Sequence, residues 1–188
     1  MKKITIFVAS FALCFISAPA FAQETSAFTG PRVEIITGYD NVDADGAKSA
    51  DGLLYGLNAG YDFAMGGVIL GLEGEVSDST TKQSDAIGRT VTDRDLYIGA
   101  RIGVPISEKA LAYAKAGYTN ARFKYEEAAG GEGGGTISGG GNADGLRLGA
   151  GLEYRLARNI FLKGEYRYSN YEAGLSRHQL VTGLGIRF

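Results

Sequence analysis

Cysteine is almost missing from this chain. The single one, Cys14, lies in an N-terminal segment with the marks of a secretory signal: Lys2 and Lys3, a short apolar run over 4–16, and an A-x-A site at Ala20-Phe21-Ala22. A chain cleaved before Gln23 has no cysteine, which excludes disulfide and thiol chemistry. A lipid anchor on Cys14 is not expected, because Leu13 stands where such a signal wants a small residue. Tryptophan is absent, and histidine occurs once, as His178. One histidine and no mature cysteine do not make a His/Cys metal site, so no metal or cofactor is expected. Long apolar runs are missing too. Beyond residue 22 nothing approaches about 18 apolar residues in a row, so no helix is expected to span a membrane. Nor is there a basic surplus. Cleavage takes Lys2 and Lys3 from the 19 basic residues and leaves 17 against 21 acidic, which argues against a nucleic-acid partner.

Glycine (29 residues) and tyrosine (11) are plentiful. The expected organisation is a signal over 1–22 and one domain over 23–188. Period-two alternation dominates that domain, the mark of strands with two unlike faces. The last stretch shows it clearly. Phe188, Ile186, Leu184, Thr182 and Leu180 alternate with Arg187, Gly185 and Gly183, and Val181 breaks the polar set. The same pattern predicts strands over 32–40, 53–63, 68–76, 95–104, 110–124, 146–156, 160–169 and 178–188. Connections after the second, fourth and sixth are short; those after the first, third, fifth and seventh are long. The stretch 126–144 is glycine-rich and is expected to be a mobile loop.

Eight strands of about ten residues, with loops alternating in length, predict an all-β fold: an eight-stranded antiparallel up-and-down transmembrane β-barrel. In a bilayer no water satisfies an open sheet edge, so the sheet must close. An even strand number puts both termini on the short-turn, periplasmic side. A soluble barrel with its Leu/Val/Ala face inward is the fold alternative, and the charges on the other face argue against it.

The runs Tyr113-Ala114-Lys115-Ala116-Gly117-Tyr118, 146–155, Leu162-Lys163-Gly164-Glu165-Tyr166-Arg167-Tyr168 and 183–188 resemble the small opacity-type outer-membrane β-barrels, often labelled "porin family". Those share the architecture of the OmpA transmembrane domain and OmpX. The resemblance implies an outer-membrane location, contact with lipid and lipopolysaccharide, insertion by the barrel-assembly machinery, a monomer, and external loops free to meet host or neighbouring surfaces. Adhesive or structural roles are what it implies for function. The chain stops at its last strand, so the peptidoglycan-binding domain of full OmpA-type proteins is not expected.

The inward face is expected to carry Arg32, Arg101, Lys115, Arg147, Arg155, Lys163, Arg167 and Arg187 against Glu34, Asp40, Asp62, Glu73, Glu75, Asp95, Glu153 and Glu165. Glu73, Arg101, Lys115, Glu153, Arg155, Glu165 and Arg167 form the expected centre of a balanced network, either a plug or, alternatively, a small diffusion channel. Inward glycines at 71, 99, 117, 149 and 151 leave room for these long side chains. Phe188, Ile186 and Leu184 are the candidate assembly signal. Tyr61, Phe63, Tyr154 and Phe188 at one end, and Tyr39, Tyr55, Tyr118, Tyr166 and Tyr168 at the other, read as two interfacial girdles. Ser176, His178 and Glu172 are a weak candidate for a rim lipid hydrolase, and the chain is not expected to be an enzyme. Asp40, Asp43 and Asp45 could bind Ca²⁺ loosely in the first loop.

Overall fold

The computed structural model describes residues 27–44, 50–80, 82–84, 88–128, 136–172 and 175–188. The signal expected over 1–22 lies outside them. Nine strand segments follow one another: β1 Gly30–Ala44, β2 Ala50–Met65, β3 Val68–Ser79, β4 Lys82–Ser84, β5 Gly88–Pro105, β6 Ala110–Ala128, β7 Thr136–Arg155, β8 Ile160–Tyr171 and β9 Leu175–Arg187. Each pairs antiparallel with the next except β3, which has no ladder with the short β4. Two further ladders close the sheet. β9 pairs with β1, from Arg32 against Arg187 to Ala44 against Leu175. β3 pairs with β5, from Ile69 against Gly103 to Ser77 against Asp95. The short β4 meets β5 beyond β3 and continues the same stave. The result is an eight-stranded antiparallel barrel, closed on itself by these ladders.

At one end the turns are tight. Gly66 and Gly67 both hold positive φ, 58° and 89°, between β2 and β3. Two successive positive φ values are what a tight hairpin needs to match strand twist. At the other end the strands run on past their expected limits. β1 reaches Ala44, β5 starts at Gly88, and β6 and β7 have 19 and 20 residues. The expected mobile loop over 126–144 is therefore corrected on both flanks: Tyr125 pairs with Gly139, Glu126 with Ser138 and Ala128 with Thr136. Ladder bonds are made by backbone, so glycines without side chains can pair once β6 offers a partner.

The faces are the reverse of a soluble barrel. Leu146, Ile98 and Leu72 on the outer wall are 68%, 68% and 65% exposed, whereas Arg147, Lys115 and Glu73 in the bore are 0%, 3% and 4% exposed. Apolar residues cluster in the bore at two places: Phe28, Ile69 and Leu111 at the short-turn mouth, and Ile36, Leu54 and Val181 on the wall of β1, β2 and β9; Phe161 is buried outside both. Phe28 precedes the first expected strand, and it plugs that mouth. Its carbonyl accepts a hydrogen bond from Arg187 Nη1. Val181, the exception to the alternation, is thus an inward apolar contact. The inward glycines do take neighbours' side chains. A methyl on Gly185 would run into Phe161 Cζ, and one on Gly151 would stand 2.7 Å from Tyr113 Oη.

Candidate functional site

The barrel's staggered register brings inward residues of alternate strands to one height. Charge is therefore layered in three tiers. Nearest the short turns, Asp62 of β2, Arg101 of β5, Glu153 of β7 and Arg187 of β9 form a closed ring of alternating sign. Arg101 donates to Asp62 at 2.6 and 2.9 Å and to Glu153 at 3.1 Å; Arg187 donates to Glu153 at 2.7 Å and to Asp62 at 2.8 Å.

The middle tier uses the other four staves. Lys115 of β6 lies 2.8 Å from Glu73 of β3 and 2.9 Å from Glu165 of β8. Lys163 of β8 lies 2.8 Å from Glu34 of β1 and 3.8 Å from Glu165. Arg32 of β1 closes this ring by bonding both Glu34 and Glu73, and at 3.1 Å it also reaches Asp62 in the tier below. Tyr113 adds a hydroxyl bond to Glu165 at 2.6 Å.

The upper tier runs across the bore. Arg167 of β8 takes both carboxylate oxygens of Glu75 on β3, the opposite stave, at 2.6 and 2.8 Å. Arg147 links Glu75 at 3.3 Å to Asp95. Arg177 of β9 reaches Asp95 on β5, again opposite, at 3.0 Å, and clasps Asp40 with two bonds of 2.6 Å. The Tyr97 ring lies between Lys115 Nζ at 4.6 Å and the Arg147 guanidinium at 5.2 Å. Eight basic and eight acidic side chains thus join into one connected network. Buried charges persist only when paired and hydrogen-bonded, and here each has at least one opposite partner. The chemistry such an arrangement supplies is cross-linking of opposite walls; the side chains occupy the bore.

The structure places Glu73, Arg101, Lys115, Glu153, Glu165 and Arg167 in this network. Arg155 is not in it. It ends β7, is half-exposed, and donates from Nη2 to the Glu108 carbonyl at 2.9 Å across the adjacent turn. Arg177, expected in the last loop, takes a place in the network because β9 starts at Leu175. One more pair of alternating steps back from Arg187, through Val181 and Gln179, reaches it; that was the available signal. Phe188, Ile186 and Leu184 line the outer wall, 70%, 46% and 46% exposed.

The girdle tyrosines Tyr39, Tyr55, Tyr118 and Tyr166, and Tyr61 and Tyr154 at the other end, face outward with 46–52% exposure. Phe63 and Tyr168 are half-buried. His178 Nδ1 lies 2.7 Å from the Tyr166 hydroxyl, and its ring packs 5.0 Å from that of Tyr168. Its described partners are these tyrosines, not Ser176 or Glu172. Asp40 is corrected as a loop ligand: it is fully buried in the bore and bound to Arg177. Asp45 lies outside the described residues, and no side chain is described for Asp43. Among the described residues no cluster of three or more Asp, Glu, His or Cys side chains could hold a metal ion.

The sequence and fold both have known relatives. The chain is 27% identical to a 31 kDa outer-membrane immunogenic protein of Brucella melitensis, over 92% of this chain and 89% of that one. It is also 27% identical to a 25 kDa outer-membrane immunogenic protein of Brucella ovis, over 76% and 67%. The fold matches Ail, the attachment invasion locus protein of Yersinia pestis, with a TM-score of 0.63 at 19% identity, over 85% of this chain and 99% of Ail. Neisserial surface protein A matches with a TM-score of 0.53 at 17% identity, over 85% and 98%. The family model of the outer membrane protein beta-barrel domain matches residues 8–188. With a closed barrel, an apolar outer wall and a match over almost its whole length, the chain belongs to the outer membrane protein beta-barrel domain family.

Proposed function

We propose that this outer-membrane barrel is a sealed scaffold rather than a conduit, serving envelope integrity and surface interaction through its long-loop end. One observation carries the reading: the upper tier ties opposite staves together, β8 to β3 through Arg167 and Glu75, and β9 to β5 through Arg177 and Asp95. Eight staves leave a bore that side chains can fill, and opening it would strand buried charges.

What remains for a partner is the other end. There β5, β6 and β7 extend as a paired ribbon well beyond the tyrosine row, from Gly88 against Glu127 to Ala128 against Thr136. In this reading the termini and short turns are periplasmic and the ribbon faces outward. The immunogenic names of the two Brucella relatives fit that exposure. Export by the 1–22 signal, insertion through β9 by the barrel-assembly machinery, a monomeric state, no enzymatic activity and an opacity-type, OmpA-like role belong to the same reading. The outward ends of Phe188, Ile186 and Leu184 are where an assembly factor would read the last strand.

Planar-bilayer recording of the refolded barrel tests it. A silent membrane is expected, with insertion verified by the heat-dependent gel shift. Discrete conductance steps that change with Lys115→Gln or Glu165→Gln would favour the small diffusion channel and overturn the sealed scaffold.

A further inference from the structure

Just past the apolar wall, β5 and β6 set two arginines side by side on the outer face. Arg94 and Arg122 are direct partners in the ladder, and both are exposed. Their chain neighbours fix the direction. Asp95 and Ala121 point into the bore, 1% and 0% exposed, so Arg94 and Arg122 point out. The next outward row toward the bilayer is Leu96 and Asn120; the one after is Ile98 and Tyr118, part of the exposed wall. The arginines therefore stand four residues beyond the tyrosine row, about 13 Å along a tilted strand. That is the height of lipid headgroups rather than of acyl chains.

The pair has no evident structural reason. Like charges directly opposed weaken a ladder, and among the described residues neither guanidinium has a hydrogen-bond or ion-pair partner. Asp144, one row nearer the bilayer, does not compensate them. Its carboxylate accepts bonds from Tyr118 Oη and Asn120 Nδ2, each at 2.5 Å, and these donors hold it below the usual carboxylate range. The ladder also skips one residue between Thr92 and Arg94, a bulge of the kind that re-aims side chains. Asn142, exposed and opposite Arg122, extends the row onto β7.

We propose that Arg94 and Arg122 clamp a phosphate of an outer-leaflet lipid headgroup, with Asn142 as a neutral donor at the edge. Directly opposed side chains start about 5 Å apart, so two guanidinium forks can share the oxygens of one phosphate. The lipid's chains would then descend over Ile98, Tyr118 and Leu146. The proposal rests on the reading that the long-loop end faces outward.

The test titrates the refolded barrel in neutral detergent with bis-phosphorylated lipid A and counts complexes by native mass spectrometry. Wild type is expected to retain lipid A, and Arg94→Gln/Arg122→Gln to weaken retention about tenfold or more. Arg94→Lys/Arg122→Lys keeps the charge and is expected to retain part of the binding. Both arginines are exposed, so the gel shift of the folded barrel is expected to be unchanged. Equal retention by wild type and the Gln pair overturns the clamp. So does displacement by inorganic phosphate at the lipid's own concentration, which would mark a free-anion site. The orientation fails separately. If Gly140→Cys, exposed on the ribbon beyond the clamp, stays unlabelled in intact cells by a membrane-impermeant maleimide, the outward orientation and the outer-leaflet source both fall, whatever the detergent result.

Discussion

Leu72→Arg sharply lowers the amount of folded barrel recovered from the outer membrane, whereas Leu72→Phe leaves it near wild type. Leu72 is 65% exposed on the outer face of β3, with Leu70 and Val76 on the same face. An arginine facing lipid costs about 2–4 kcal/mol near the bilayer midplane and less toward the interfaces. Phenylalanine at the same place meets only acyl chains. The fraction of folded protein is read as the unheated, fast-migrating band on a gel. Equal recovery of the Arg and Phe variants would show that this face does not touch lipid.

Arg167→Met is the counterpart on the inner face, and a loss of about 3–5 kcal/mol in unfolding free energy is expected. Arg167 is fully buried and holds both oxygens of Glu75 as well as one of Glu165. Removing it leaves two carboxylates short of a partner. Urea titration of the barrel in vesicles measures the loss. Adding Glu75→Gln removes one of the two under-compensated charges, so the double variant is expected to lie closer to wild type than the sum of the single changes. An Arg167→Met barrel as stable as wild type would mean that the tiers carry little of the structure.

The two faces were legible in the sequence because a bilayer inverts the usual pattern. Leu146 to Arg155 alternates apolar with charged or glycine, and the barrel turns those sets out and in as written. Strand order and closure were legible too, since alternating loop lengths admit little besides an up-and-down barrel. The tiers were not. They depend on stagger between strands, and no single strand's sequence states it. Asp62 and Arg187 lie far apart in the chain and meet only through the ladders β2–β1 and β1–β9. Strand ends were the least legible. Arg155 and Arg177 exchanged roles because a strand's last inward residue and a loop's first polar residue look alike. The flanks of the glycine run were misread because their pairing comes from the β6–β7 ladder, not from their own side chains. Phe28 was missed because a plug at a barrel mouth has no period.

The inverted arrangement is tested most directly by nuclear Overhauser contacts between lipid acyl chains and selectively labelled methyl groups, with the barrel in a lipid nanodisc. Three adjacent apolar pairs face opposite ways: Ile35 and Ile36, Leu53 and Leu54, Leu180 and Val181. The first of each is 55–63% exposed and the second 0–3%. Ile35, Leu53 and Leu180 are expected to contact acyl-chain protons, while Ile36, Leu54 and Val181 contact one another and no lipid. Lipid contacts shared equally within each pair, or made by Ile36, Leu54 and Val181 instead, would contradict an apolar wall around a charged bore.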